Sequence, residues 1–142
     1  MAERDDVILE KINSIQRCLA TIDKATKGNP NALDDVIIED AVTLNIQRAA
    51  QLCIDIAYYV ISLLDLTMPS KFKDSFIRLQ EHKIIDETLA EKMCNMVGFR
   101  NIAVHDYQEL DKKILKSIVS KELGDFEEFY TKILNYLDQL KE

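Results

Sequence analysis

The stretch from Leu33 to Leu66 constrains the fold more than any other part of the chain. Its apolar side chains recur at helical spacing, first as a single stripe and then on nearly the whole circumference of the predicted helix. The stripe comprises Ile37, Ala41 and Leu44, and the wider apolar region comprises Ile54, Ile56, Ala57, Tyr58, Val60 and Ile61. Because a helix that is apolar all round is buried on several sides, we expect this one inside a helical bundle or in a subunit contact.

Glycine and proline are scarce, with three and two in 142 residues, and this favours long helices over many short strands. Apolar spacing predicts a helix ending near Thr26, the helix Leu33–Leu66, a short helix Ser70–Gln80, one capped by Asp86, the helix Leu110–Ser120, and an aromatic-rich last helix. Gly124 is expected to interrupt the helical conformation before that last helix, with Asp125 and Glu128 as a capping box. The sequence predicts one all-α domain, 1–142, an up-and-down bundle of about five helices.

Composition and local patterns exclude several classes of protein. The net charge of −7 disfavours a broad basic surface for nucleic acid, although positive charge can still be concentrated in one cleft. The charged start Met1–Asp6 lacks the apolar run of a signal peptide, and no stretch reaches the roughly 20 apolar residues of a membrane span, so we expect a cytoplasmic protein without a membrane partner. Cys18, Cys53 and Cys94 are expected to be buried, reduced thiols.

The segment Arg100–Tyr107 combines residues suited to phosphate chemistry. It contains His105, one of two histidines, five residues after Arg100 and two before Tyr107. A guanidinium is a permanent cation, and an imidazole exchanges protons near neutral pH. Arg100 also falls on the inward stripe predicted for its helix, where a lone charge is costly unless a partner or ligand faces it. That stripe is Leu89, Met93, Met96, Arg100, Val104 and Tyr107.

The spacing leaves alternatives open. On a regular helix of about 100° per residue, Arg100 and His105 point roughly 140° apart. Either the helix ends or bends near His105, or a second copy of the chain completes the site. A simpler interpretation is that Arg100 pairs with an acid such as Asp106 and that His105 merely ends a helix, where its charge is favourable. Arg48, on the most apolar helix, is expected to pair with Asp55 or with another acid of the bundle.

The spacing Arg-x4-His-x-Tyr resembles the signature of HEPN domains, all-α proteins of toxin–antitoxin and RNA-processing systems. The fuller run Gly98–Tyr107 is similar to the HepT-type branch, in which an aromatic residue, Arg and Asn precede the Val-His pair. The likeness extends over nearly the whole chain, through the helix order, the position of Arg48 and the aromatic last helix. It implies a HEPN-type bundle that dimerises.

The resemblance implies a metal-independent endoribonuclease whose two copies line one cleft. RNA supplies its own nucleophile, the 2′-hydroxyl, so the protein must move protons and stabilise charge. His105 is expected to act as general base or acid, Arg100 to bind the phosphate, and Asn101 to orient the phosphate or His105. The sequence has no metal-ligand spacing and no glycine-rich phosphate loop, so neither a metal nor another cofactor is expected. RNA is the expected substrate, and no DNA partner is expected.

For Tyr107 the resemblance implies regulation. In HepT-type systems the partner antitoxin, the nucleotidyltransferase MntA, transfers AMP to this tyrosine. The added bulk and charge would block the cleft and compete for Arg100. The alternative is a packing tyrosine, since a phenol with an ordinary pKa near 10 is a poor base at neutral pH.

Basic residues flank the motif as candidate contacts to the RNA backbone, with a solvated helix face as the alternative for each. They are Arg48, Lys71, Lys73, Arg78, Lys83, Lys112, Lys113, Lys116 and Lys121. His82, in a polar turn, is expected to be solvated. The predicted function is that of an endoribonuclease toxin. The alternatives are a non-catalytic HEPN module that binds RNA or nucleotide, and a helical adaptor that dimerises through its apolar helix.

Overall fold

The computed structural model describes residues 2–141, with side chains from Asp5 onward, and most of this chain is helical. Its α-helices are α1 (Ala2–Thr26), α2 (Val36–Leu63), α3 (Phe72–Glu81), α4 (Glu87–His105), α5 (Lys112–Ser117) and α6 (Gly124–Leu140). Two 3₁₀ turns, Pro30–Asp34 and Tyr107–Glu109, and a π turn, Ile118–Glu122, lie between them. Residues 2–141 contain no strand, and the predicted all-α class is confirmed. Met1 and Glu142, the ends of the predicted domain, lie outside the described residues.

α2 is the central helix and packs against α1, α3, α4 and α6. Its second half is buried all round, as predicted from the sequence. The side chains of Cys53, Ile54, Ile56, Ala57, Val60 and Ile61 are each at most 1% exposed. Burial of this much apolar surface in one helix favours its position at the centre of the bundle.

The first half of α2 presents a different face to the core from the one that its apolar stripe suggests. Ile37 is 80% exposed and Leu44 is 41% exposed. A neighbouring stripe with the same helical period, Val42, Ile46 and Ala49, is fully buried instead. α2 therefore carries an exposed apolar stripe near its N-terminal end.

Aspartate side chains cap the N-termini of α2, α4 and α5, whereas α3 and α6 begin without a side-chain cap. α2 begins at Val36, because the Asp35 carboxylate accepts a hydrogen bond from the Ile37 N–H at 2.9 Å, while Leu33 belongs to the preceding 3₁₀ turn. The predicted break and capping box at Gly124 are wrong. The backbone continues in helical conformation through Leu123 (φ −62°, ψ −30°), because the π turn carries it directly into α6.

Asp125 and Glu128, the expected capping pair, face Lys92 of α4 instead. The Lys92 Nζ lies 3.7 Å from the Asp125 carboxylate and 3.8 Å from that of Glu128. These ion pairs connect α6 to α4 across the surface of the bundle.

The inward face of α4 also departs from the predicted stripe. Leu89, Met93 and Met96 are buried as expected, but the stripe then continues through Phe99 and Ala103. Val104 is 39% exposed, and Tyr107 lies beyond the end of the helix. Arg100 therefore lies at the edge of the core, half-buried, rather than inside it.

Cys18 and Cys53 are buried and Cys94 is half-buried, all as free thiols. Burial raises the pKa of each thiol. None of the described helices is both long and apolar enough to span a bilayer.

Candidate active site at the end of α4

α4 carries the candidate site in its last two turns. The helix begins as predicted, with the Asp86 carboxylate accepting a hydrogen bond from the Leu89 N–H at 2.8 Å. It ends at His105, because Asp106 leaves helical backbone geometry at φ −149° and ψ 56°. A histidine in the last turn is favourable, since the C-terminal end of a helix attracts positive charge.

An open cleft of about 420 Å³ lies between the end of α4 and the start of α3. Arg100, Asn101 and His105, the three residues predicted to be catalytic, all line it. The opposite wall includes Lys71 and Lys73, two of the lysines predicted to contact RNA. Of the two alternatives predicted from the spacing, the structure shows the first, because α4 ends at His105. The side chains of Arg100 and His105 line the same cleft within one protomer.

Arg100 is held by neutral partners. Its Nε donates a hydrogen bond to the Gln51 side-chain oxygen at 2.9 Å, and its Nη1 donates one to the Asn101 side-chain oxygen at 3.2 Å. Its Cζ lies 5.2 Å from the centroid of the Phe72 ring, a cation–π contact. The proposed pairing with Asp106 is wrong, and no ion pair joins Arg100 to a carboxylate of residues 5–141. The Arg100 guanidinium is therefore oriented by its neighbours, while no carboxylate of residues 5–141 neutralises its charge.

His105 and Asn101 differ in their environment. His105 is exposed, lines the cleft and forms no side-chain hydrogen bond with residues 5–141. Asn101 is half-buried, and its side-chain oxygen contacts Arg100. Asn101 thus contacts Arg100, and its expected role in orienting the phosphate or His105 stays a prediction.

Tyr107 lies outside this cleft. Its side chain is 45% exposed, and its hydroxyl donates a hydrogen bond to the Asp40 carboxylate on α2. That bond raises the pKa of Tyr107 above its ordinary value, because the carboxylate stabilises the protonated phenol. Tyr107 lines a separate pocket of about 330 Å³ together with Glu39 and Lys112. Direct competition between AMP on Tyr107 and RNA for Arg100 is therefore not supported by the geometry of a single protomer.

Arg48 lies on α2 in a neighbouring pocket rather than in the cleft. The expected pairing with Asp55 is wrong, because Asp55 accepts a hydrogen bond from the Gln51 side-chain nitrogen at 2.9 Å and forms no ion pair with Arg48. Arg48 lines a pocket of about 470 Å³ between α1 and α2, and Gln51 is part of the same wall. Gln51 therefore lies between Arg100 and this pocket.

The lysines of α5 do not line the cleft. The Lys112 Nζ lies 3.8 Å from the Glu39 carboxylate, and the Lys116 Nζ lies 3.0 Å from that of Asp34. The hydrogen bond from Lys116 lowers the pKa of Asp34. RNA contacts by Lys112, Lys113 and Lys116 stay a prediction.

Two contact residues of the site were not predicted, Gln51 and Phe72. Gln51 was visible only as a polar interruption in the most apolar helix, and nothing in the local pattern indicated which side chain it faces. His82 is exposed at the end of α3, as predicted. The part of the chain with described side chains contains no group of three or more His, Cys, Asp or Glu arranged to hold a metal ion.

Comparison with known proteins gives consistent matches. A family model described as "Ribonuclease HepT-like" matches residues 8–133. The mRNA nuclease HepT of Shewanella oneidensis is 39% identical over 125 residues, which cover 88% of this chain and 94% of the relative. The tRNA nuclease HepT of Aphanizomenon flos-aquae is 28% identical over an alignment of 147 residues, covering 100% of this chain and 98% of the relative.

A solved structure shows the same fold in a larger assembly. It is that of the tri-AMPylated Shewanella oneidensis HEPN toxin in complex with the MNT antitoxin. The match has a TM-score of 0.86 at 39% sequence identity, and it covers 92% of this chain and 98% of that chain.

Proposed function

Since the chain belongs to the HepT-like ribonuclease family, we propose that it is a cytoplasmic endoribonuclease toxin that cleaves RNA without a metal ion in the cleft of Arg100, Asn101 and His105. One observation carries the proposal. Arg100 is oriented by neutral partners and uncompensated in charge, in a cleft that it shares with an exposed histidine. Lys71 and Lys73 add positive charge to the cleft of a chain whose net charge is −7.

The chemistry uses the 2′-hydroxyl of RNA as nucleophile. His105 removes the proton of that hydroxyl or protonates the leaving 5′-oxygen, and His105 of a second protomer supplies the complementary step. The Arg100 guanidinium binds the phosphate and stabilises the charge that develops on it in the transition state. Asn101 keeps Arg100 in position.

The homodimer that this mechanism requires has a candidate surface on α2. Ile37 and Leu44 are exposed there, and Val104 is exposed near the end of α4. Contact through such apolar side chains would remove them from water. Ile37→Glu is expected to shift the protein from dimer to monomer in light scattering coupled to gel filtration, and an unchanged mass would exclude this surface.

Control of the toxin is proposed to involve a MntA-like nucleotidyltransferase that adds AMP to Tyr107. The Tyr107 side chain is 45% exposed, which supports an accessible acceptor, and the related Shewanella toxin is AMPylated in its complex with the MNT antitoxin. Mass spectrometry of Tyr107 after co-expression with a MntA-like nucleotidyltransferase tests this step. Modification only at other tyrosines would contradict the assignment.

The catalytic assignment is tested by cleavage of total RNA in the presence of EDTA. We expect cleavage by the wild type and by the control His82→Ala, which removes the other, solvated histidine. Arg100→Ala and His105→Ala are each expected to lose activity by about 10²-fold or more. Full activity of both variants would overturn the site, and an inactive unmodified wild type that still binds RNA would favour a binding module.

A further inference from the structure

The pocket between α1 and α2 collects polar side chains from one face of each helix. The residues from α1 are Ser14, Arg17, Cys18 and Thr21, and those from α2 are Asn45, Arg48, Gln51, Leu52 and Asp55. Their spacing of three or four residues places each set on one side of its helix. Two arginines thus approach one space of about 470 Å³ from opposite walls.

The charge in this pocket is predominantly positive. Both guanidinium groups act on the Cys18 thiol and lower its pKa, although burial outweighs them and raises it. Arg17 donates a hydrogen bond from Nη2 to the Ser14 hydroxyl at 2.9 Å, and neither Arg17 nor Arg48 pairs with a carboxylate among residues 5–141. Asp55 is the one acid in the lining, and Gln51 donates to it. Two cations against one carboxylate leave an excess of positive charge.

Gln51 connects the pocket to the cleft. Its side-chain oxygen accepts from Arg100 in the cleft, while its side-chain nitrogen donates to Asp55 in the pocket, each at 2.9 Å. The cleft and the pocket therefore adjoin at Gln51, which lines the pocket and is bonded to Arg100. A strand that leaves the cleft past Gln51 enters the pocket that Arg17 and Arg48 line.

We propose that the pocket between α1 and α2 binds a second backbone phosphate of the RNA strand that is cleaved in the cleft. The inference rests on the proposed function. Two guanidinium groups offer several N–H donors to one phosphodiester. Proteins that bind single strands combine such a basic groove with contacts to successive nucleotides.

The test measures binding of a fluorescein-labelled single-stranded RNA oligonucleotide by fluorescence anisotropy at several salt concentrations. The parent protein is His105→Ala, which prevents cleavage. Arg17→Ala and Arg48→Ala, both at exposed positions, are each expected to weaken binding about tenfold and to reduce the slope of log Kd against log salt by roughly 0.7, the loss of one phosphate contact. Asp55→Asn is expected to tighten binding, because it removes the one opposing charge.

Lys24→Ala is the matched control, since it removes an exposed cation of α1 that lies outside the pocket. It is expected to leave the salt slope unchanged. Equal slopes for the parent, Arg17→Ala and Arg48→Ala would overturn the second phosphate site, while cleavage by the wild type would still support the proposed function. If the wild type neither cleaves nor binds RNA, both fail. Variants that weaken binding of the antitoxin but not of RNA would assign the pocket to a protein partner and overturn the inference.

Discussion

Replacement of Gln51 by leucine tests whether Arg100 is positioned for catalysis by α2. The substitution is close in volume and removes the oxygen that accepts from the Arg100 Nε at 2.9 Å. A hydrogen bond to a charged group contributes about 1.5–3 kcal/mol. Arg100 is half-buried and keeps its contacts with Asn101 and Phe72, so we expect the lower end, about 1.5 kcal/mol. This corresponds to a roughly tenfold loss of kcat/KM.

The assay is steady-state cleavage of a fluorogenic RNA, with kcat and KM determined separately. A misplaced guanidinium loses most where charge develops on the phosphate, so kcat is expected to fall more than KM rises. Gln51→Glu keeps an acceptor for Arg100 but adds a carboxylate beside it, and it is expected to weaken RNA binding as well. Gln47→Leu, one turn earlier on α2 and outside both pockets, is the control.

Two results would contradict this role of Gln51. If Gln51→Leu and Gln47→Leu retain the same kcat/KM as the wild type, Arg100 does not depend on α2 for its orientation. If Gln51→Leu lowers kcat/KM only as far as it lowers the folded fraction in thermal unfolding, the effect is one of stability rather than of positioning.

Three further outcomes are expected. Asp40→Asn should bring the raised pKa of Tyr107 back towards its ordinary value, and the absorbance of the phenolate checks this. Because the pKa of Tyr107 is raised in the folded protein, the contact stabilises the fold below a pH of about 10. This stabilisation is lost as the pH rises through the pKa of Tyr107 in the folded protein. Phe129→Ala should cost about 3–5 kcal/mol in denaturant unfolding, since Phe129 is 0% exposed, whereas Ile77→Ala, at 42% exposure, should cost far less; equal losses would contradict this account of the core. Cys53 should resist iodoacetamide until the protein unfolds, because it is buried and its pKa is raised, and rapid labelling of the native protein would show that the core opens.

The helical spacing of apolar residues correctly predicted burial in the second half of α2, where apolar side chains lie on every face of the helix. From Cys53 to Ile61 nearly every side chain is apolar, so any packing arrangement buries the helix. In its first half, two stripes with the same period lie side by side, and only the packing of the other helices decides between them. Spacing alone was also insufficient for α4, in which the buried stripe continues after Met96 through Phe99 and Ala103 rather than through Arg100.

The candidate site was predictable where its members are close in sequence. Arg100, Asn101 and His105 belong to two turns of one helix, so their meeting in one cleft follows from local structure once the helix ends at His105. Their partners are distant in the chain. Gln51 is 49 residues from Arg100, and Asp40 is 67 residues from Tyr107, and spacing alone does not pair residues across such separations.

The Tyr107–Asp40 contact has a consequence for how often the acceptor hydroxyl is free. The turn Tyr107–Glu109 contains no buried residue, and the Tyr107 hydroxyl is bonded to Asp40 on α2. Loss of a hydrogen bond worth about 1.5 kcal/mol shifts the equilibrium roughly tenfold towards the free hydroxyl. The nucleotidyltransferase proposed to modify Tyr107 therefore competes with this surface contact rather than with packing in the core. Asp40→Asn is expected to change the rate of modification both through the free fraction of the hydroxyl and through the pKa of Tyr107, while Arg100, Asn101 and His105 stay unchanged.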